Sequence, residues 1–257
     1  MQHRHNDRNQ YFSELAYTSE KYFMPYIAGH MNLGRQLDIL EIGCGDGGNL
    51  LPFAKSGHRV TGIDISANRI KDAISFFQKE SASGRFICSD IFEMKCDKRF
   101  DIVICHDVIE HIADKQKLLS RISELMKPEG MAFMGFPAWQ MPFGGHQQIC
   151  HNKYISKMPF IHLLPAAIYR FILRIGNEKD NCISELLTIK KYGISIEQFE
   201  KTVISSGLRI IERSLYFINP HYEIKFRLKP RLLPKSLSGL YYLRNYFSTS
   251  CFYLLQR

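Results

Sequence analysis

One segment constrains this chain more than any other. It is Leu37-Asp38-Ile39-Leu40-Glu41-Ile42-Gly43-Cys44-Gly45-Asp46-Gly47-Gly48-Asn49, followed by Val60-Thr61-Gly62-Ile63-Asp64-Ile65-Ser66. An apolar run closes on an acid, a glycine-rich turn and a helix follow, and a second apolar run closes on another acid. That order specifies a βαβ unit whose turn offers bare backbone to a ligand, with a carboxylate placed to hold ribose hydroxyls. The first run is continuously apolar, as in a strand buried on both faces of a parallel sheet. Glycine suits the turn because a Cβ would block close approach or forbid positive φ.

Two classes of nucleotide use this geometry. Gly43-x-Gly45-x-x-Gly48 matches the dinucleotide fingerprint by letter count, with Asp64 at its spacing. Glu41 and Asp46 argue against a dinucleotide. A helix N-terminus favours an anion such as pyrophosphate, and these carboxylates would repel it. A sulfonium nucleoside bearing an amino acid meets no such repulsion. Glu41-Ile-Gly43-Cys-Gly45-Asp-Gly47 resembles the acid-x-Gly-x-Gly-x-Gly motif of the class I S-adenosylmethionine-dependent methyltransferases at every fixed position.

The resemblance implies an α/β fold. It is a Rossmann-like, seven-stranded, mostly parallel sheet with an antiparallel last strand and helices on both faces. It implies S-adenosylmethionine as cofactor, leaving as S-adenosylhomocysteine. The implied cofactor residues are Glu41, Gly43, Cys44, Gly45, Gly47, Asp64, Ile65, Asp90, Ile91 and His106. Arg85 to Ile91 resembles the third strand, whose acid, here Asp90, accepts from the adenine amino group in the family. Phe100 to His111 resembles the fourth strand and its Glu-His loop. Lys127-Pro128-Glu129-Gly130 ends a helix before a fifth strand, Met131 to Phe136. The resemblance is strong over residues 35–140 and weaker over 195–228.

The chain reads as one domain in five parts: a helical cap (1–34), a cofactor-binding core (35–136), an inserted helical lid (137–194), the completion of the core (195–228) and a basic, aromatic tail (229–257). Residues 1–9 are polar and expected to be loose. Tyr11 to Ala28 has helical apolar spacing; the resemblance implies that such a helix closes over the cofactor, and packing on the sheet is the other reading. Ser66 and Asp114 read as helix caps. Long inserts are usually lids or binding loops. This one leaves the carboxyl end of strand five, the edge where open α/β sheets bind ligands. Its Gly144-Gly145 pair is expected to act as a hinge, and Ala166 to Ile175 as a helix. Ser195 then caps a helix ending near Gly207. Leu208–Phe217 and Tyr222–Leu228 read as a terminal hairpin, and Leu237–Leu255 as a last helix.

Methyl transfer from a sulfonium is an in-line displacement in which alignment contributes about 7–11 kcal/mol. A hydroxyl acceptor also benefits from a base, most often histidine. His146, flanked by glycines on the lid, is the first candidate, followed by His106 and His151. The expected reaction needs no metal. As an alternative, Asp107-x-x-Glu110-His111 resembles the acid cluster of ubiquinone-pathway O-methyltransferases and small-RNA 2′-O-methyltransferases. That resemblance implies a divalent cation, with His146 as a fourth ligand. His106-Asp107-Val108-Ile109 replaces the Asn/Asp-Pro-Pro-aromatic signature of amino methyltransferases, which argues against methylation of base or glutamine nitrogens.

Net charge is +9, and from Arg213 to Arg257 eight basic residues face one acid, Glu223. Such a surface suits phosphate groups of nucleic acid, membrane or a nucleotide-linked substrate, or is simply solvated. The aromatic tail suits core packing or a membrane surface. Seven scattered cysteines without Cys-x-x-Cys indicate free thiols in a reducing compartment, not disulfides or structural zinc. Residues 1–7 lack the apolar core of a signal peptide, and a cytoplasmic location is expected. The expected function is methyl transfer to a small-molecule or lipid- or sugar-linked acceptor, at a hydroxyl oxygen. The alternatives are RNA or ribose methylation, for which no RNA-binding module is visible, and cofactor binding without transfer. Oligomeric state is not legible.

Overall fold

A computed structural model describes residues 7–257. The loose start expected over residues 1–9 falls, for residues 1–6, outside the described residues. Arg8 and Asn9 are helical instead, because the Asp7 carboxylate accepts from Gln10 N and caps α1 (Arg8–Thr18). A wide turn, Ser19–Phe23, joins it to α2 (Met24–Ala28), so the helix expected over Tyr11–Ala28 is present with one loosened turn.

The βαβ unit forms as its pattern dictates. β1 (Asp38–Ile42) is buried along its whole length between two parallel neighbours. The glycine turn and α3 (Leu51–Lys55) lead to β2 (Arg59–Asp64). Ser66 caps α4 (Ala67–Lys79), which buries Ile70, Ala73, Phe76 and Phe77 at helical spacing. β3 (Arg85–Cys88), β4 (Phe100–His106), α5 (Lys115–Leu125, capped by Asp114) and β5 (Met126–Phe136) complete the parallel half.

Residues 137–194 leave the sheet here and carry α6 (Ala166–Ile175) and α7 (Asp180–Tyr192). Trp139 N donates to Ile194 O, so the excursion departs and rejoins at one point. It has its own small core, including Cys150, Tyr169, Leu173 and Leu186, separate from the two clusters that line the sheet. Gly144 and Gly145, expected to act as a hinge, are closely packed. Neither has positive φ, and a Cβ on Gly145 would overlap the His162 side chain.

α8 (Ile196–Ser205) is capped by Ser195 and leads through Gly207 to β6 (Arg209–Ile218). Two expectations then fail. Tyr222–Leu228 is not a strand but begins with a helical turn, α9 (Tyr222–Phe226). Glu223 accepts hydrogen bonds from Tyr17 and Tyr22 and pairs with Lys21, which ties the segment to the N-terminal helices instead of the sheet. Beyond the short β7 (Arg231–Leu232), the stretch expected as one helix has only two brief helical turns, α10 (Lys235–Ser238) and α11 (Arg244–Phe247). It ends in a strand, β8 (Ser250–Gln256).

β8 lies inside the sheet, antiparallel to both β5 and β6, in the order β3-β2-β1-β4-β5-β8-β6-β7. The sheet thus has eight strands where seven were expected: the strand expected at 208–217 is present as β6, but its antiparallel partners are β8 and the short β7, not Tyr222–Leu228. Among the described residues, no helix is long and apolar enough to cross a membrane.

Candidate active site

The carboxyl ends of β1 to β4 meet at one edge, where chemistry-bearing side chains gather. Gly43, Gly45 and Gly47 have φ of 68°, 53° and 82°, the left-handed region in which a side chain is strained. Asp64 fastens this turn to the end of β2: its Oδ2 accepts from Gly45 N at 2.9 Å and its Oδ1 from Ser66 N at 2.8 Å. Beside it, Ile65 is 78% exposed and presents an apolar surface at the ligand edge. Asp90 is exposed, with Oδ1 oriented by Phe92 N at 2.8 Å. Cys44 and Ile91 are buried, so a part for them in binding falls to their backbone.

Glu41 lies beneath the turn and is almost wholly buried. Its Oε1 accepts from Asn49 Nδ2 at 2.7 Å, while its Oε2 is without a partner. Burial pushes its carboxyl up to about 8. Two contributors escaped the sequence reading. Asn49 ends the glycine motif, but only the fold shows that it reaches back to Glu41. Arg8 pairs with Asp46 and Asp72, each at 2.5 Å, and closes α1 over the turn. Its one sequence signal is a basic residue at the start of a helix.

On the other side of β4, His106 packs against Phe23, with ring centroids 4.8 Å apart, and its Nδ1 is 3.4 Å from Asp107 Oδ2. The turn Ile109–His111 then buries Glu110 and leaves His111 exposed. His146 reaches this turn from the insert. Its Nε2 lies 4.0 Å from Glu110 Oε1, and its ring meets the His111 ring edge-on at 5.4 Å. Ligand-capable atoms of Glu110, His111 and His146 all fall within 4.8 Å of one another.

Both Glu110 oxygens are buried without a hydrogen-bond partner. Such a group is costly unless something charged or hydrogen-bonding meets it. Burial, reinforced by Asp107, holds its carboxyl well above the usual range. Burial, reinforced by the neighbouring His111, lowers His146 to about 4. Asp107 and His146 both have left-handed backbone, φ 54° and 56°, and strain of this kind in non-glycine residues concentrates at functional sites. A carboxylate and two imidazoles, with Asp107 adjacent, form a donor set that fits a divalent cation of the first row or Mg²⁺. His151 is not drawn into this cluster. It is held by Glu178, whose Oε2 accepts from His151 N at 3.1 Å.

Residues 40–134 match the methyltransferase-domain family. Over those residues the chain has a methyltransferase domain, of the kind that the glycine motif implies. The methyltransferase core is similar to curated ubiquinone biosynthesis O-methyltransferases. The protein of Rickettsia felis is 34% identical over 114 residues, covering 44% of this chain and 47% of the relative. That of Rickettsia prowazekii is 33% identical over 114 residues, covering 44% and 45%. The chain thus spans about half the length of the curated relatives it matches.

Solved structures extend the likeness in fold over nearly the whole molecule. A methyltransferase from Clostridium acetobutylicum superposes with TM-score 0.60 at 12% identity, covering 93% of this chain and 90% of that one. The magnesium protoporphyrin IX methyltransferase of Synechocystis, solved with bound S-adenosylhomocysteine, gives 0.58 at 16% identity, covering 97% and 87%.

Proposed function

We propose that this chain binds S-adenosylmethionine at the carboxyl edge of β1 to β3 and transfers its methyl group to a hydroxyl oxygen of a small organic acceptor. A divalent cation held by Glu110, His111 and His146, with Asp107 beside them, would assist. The observation that carries the reading is the pair of unpartnered, buried Glu110 oxygens facing His146. The similarity to O-methyltransferases supports oxygen as the acceptor atom.

Asp64, already oriented by two backbone N–H groups, is placed for the ribose hydroxyls, Ile65 for the adenine face and Asp90 for the adenine amino group. Glu41 and Asn49 shape the floor beneath the methionine portion. A bound cation would supply Lewis-acid polarisation of the acceptor hydroxyl. His146, lowered to about 4, stays neutral near pH 7, as a nitrogen ligand must. The same shift makes it a weak proton acceptor, which disfavours the metal-free base reading, since an effective base titrates near the working pH. His106 stands at the end of β4, where it walls the site against Phe23.

Exposed apolar side chains border the insert and the tail. They include Phe171 (63%) and Ile175 (66%) on α6, and Tyr241 (64%) and Tyr242 (65%) before α11. With the surrounding arginines they suit an acceptor presented from a lipid surface. Titration calorimetry with S-adenosylmethionine, followed by turnover on phenolic and catecholic acceptors with and without chelator, tests the proposal. Binding plus turnover that chelator abolishes and Mg²⁺ or Mn²⁺ restores would support it. Turnover indifferent to chelator would return the reaction to His146 or His106 as base, and absence of cofactor binding would defeat the reading altogether.

A further inference from the structure

A second cluster lies in the insert's own core. Cys150 Sγ, Cys182 Sγ and a carboxylate oxygen of Glu178 all fall within 4.8 Å of one another. Cys150 and Glu178 are buried and Cys182 is partly buried. The three come from distant parts of the segment: Cys150 follows the turn Gln147–Ile149, Glu178 lies between α6 and α7, and Cys182 is in the first turn of α7.

Two buried thiols alone would pass as small apolar fillers. The carboxylate changes that reading. Asn152 N donates to Glu178 Oε1 at 2.7 Å and His151 N to Oε2 at 3.1 Å. These bonds orient Glu178 in the core, where the Cys182 thiol also meets its carboxylate. A second observation points the same way. The Tyr169 hydroxyl, wholly buried and beside both thiols, has no hydrogen-bond partner. A polar tip left unsatisfied next to two sulfurs and a carboxylate marks a place built for something more than apolar packing.

We propose that Cys150, Cys182 and Glu178 form a structural site for a thiophilic divalent cation of the zinc class. Two thiolates and a carboxylate are three of the four ligands such an ion takes, at about 2.0–2.3 Å. The fourth position falls to water or to His151, whose Nδ1 is 3.4 Å from Glu178 Oε2. On binding, the ion displaces the thiol protons and forms two metal–sulfur bonds. The site would tie the loop at Cys150 to the α6–α7 connection. A core as small as this one gains from such a staple, because little apolar surface is buried there. Its soft donors separate it from the oxygen- and imidazole-rich set around Glu110.

Cobalt substitution of the full chain tests the assignment. Protein stripped by chelator and loaded with Co²⁺ should show a thiolate-to-cobalt charge-transfer band, and Zn²⁺ should bleach it. The band should persist in Glu110→Gln and His146→Ala and vanish in Cys182→Ser and in Cys150→Ser with Cys182→Ser. Should the double variant fail to fold, alkylation of the wild type decides: Zn²⁺ must shield Cys150 and Cys182 but not exposed Cys88. A folded wild type without the band, a band retained in the cysteine variants, or an intact mass two hydrogens short from a Cys150–Cys182 disulfide would overturn the proposal.

Discussion

Replacing Glu110 with methionine separates its cost to the fold from its use in the reaction. Both carboxyl oxygens are buried without partners, and each unsatisfied polar group costs about 1–3 kcal/mol. Methionine fills a similar volume without polar oxygens. Counting the carboxyl as one such group, Glu110→Met should stabilise the metal-free protein by about 1–3 kcal/mol. In a chain of this size that is a rise of about 2–12 °C in melting temperature. The pH profile should change with it. Burial raises the Glu110 carboxyl above its ordinary 4.5. The native state therefore binds the extra proton between that value and the raised one, and stability falls as pH climbs through the window. In Glu110→Met that part of the decline should disappear. Turnover with Mg²⁺ or Mn²⁺ should meanwhile drop to the level of chelated wild type. Calorimetric melts from pH 4 to 9, with chelator throughout, make the comparison. A metal-free variant less stable than wild type by more than about 1 kcal/mol would show that the carboxyl is satisfied in the fold, and would refute the argument.

Asp64→Ala should weaken S-adenosylmethionine binding at least about tenfold, since a hydrogen bond to a charged group contributes about 1.5–3 kcal/mol; unchanged affinity by calorimetry in a folded variant would remove Asp64 from the site. Glu41→Gln should flatten the loss of stability between pH 4.5 and about 8, because the buried Glu41 carboxyl is raised to about 8 and surrenders its proton only as pH passes that value. Phe252→Ala should cost about 3–5 kcal/mol in denaturant unfolding, since the ring is fully buried against Phe23, Phe133 and Tyr216; a loss under about 1 kcal/mol would contradict its place in mid-sheet. Hydrogen exchange across residues 137–165 should slow when cofactor and acceptor bind, and equal exchange in both states would argue that the insert is a fixed wall.

The parallel half of the fold was readable because β1 to β4 each close at or beside a polar residue, Glu41, Asp64, Asp90 and His106, after an apolar run. Caps at Ser66, Asp114 and Ser195 are local chemistry and appear where the letters place them. The C-terminal part misled for physical reasons. Ser250 to Leu255 is buried on both faces, so it lacks the alternation of a half-exposed strand and cannot be told from a buried helix by period. Tyr222 to Leu228 alternates perfectly yet coils, because the hydrogen bonds of Glu223 to Tyr17 and Tyr22 outweigh strand propensity. In the site, the cofactor side was legible as a contiguous motif. The grouping of His146 with Glu110, and the tie of Asn49 to Glu41, depend on chain reversals that no local pattern encodes.

The position of β8 also bears on how the protein is made. Its seven residues sit between β5, completed at Phe136, and β6, completed at Ile218. On a ribosome, both neighbours emerge before the strand that joins them. Until Ser250–Gln256 arrives, β5 and β6 each present an unpaired edge, the kind of surface that recruits strands from other chains. Pairings this distant in sequence also form slowly. The nascent chain therefore passes through an interval in which its parallel half can be ordered while the sheet remains open, and chaperone demand and losses to aggregation should be greatest there. Ending the chain at Phe247, ten residues short of Arg257, would make that interval permanent.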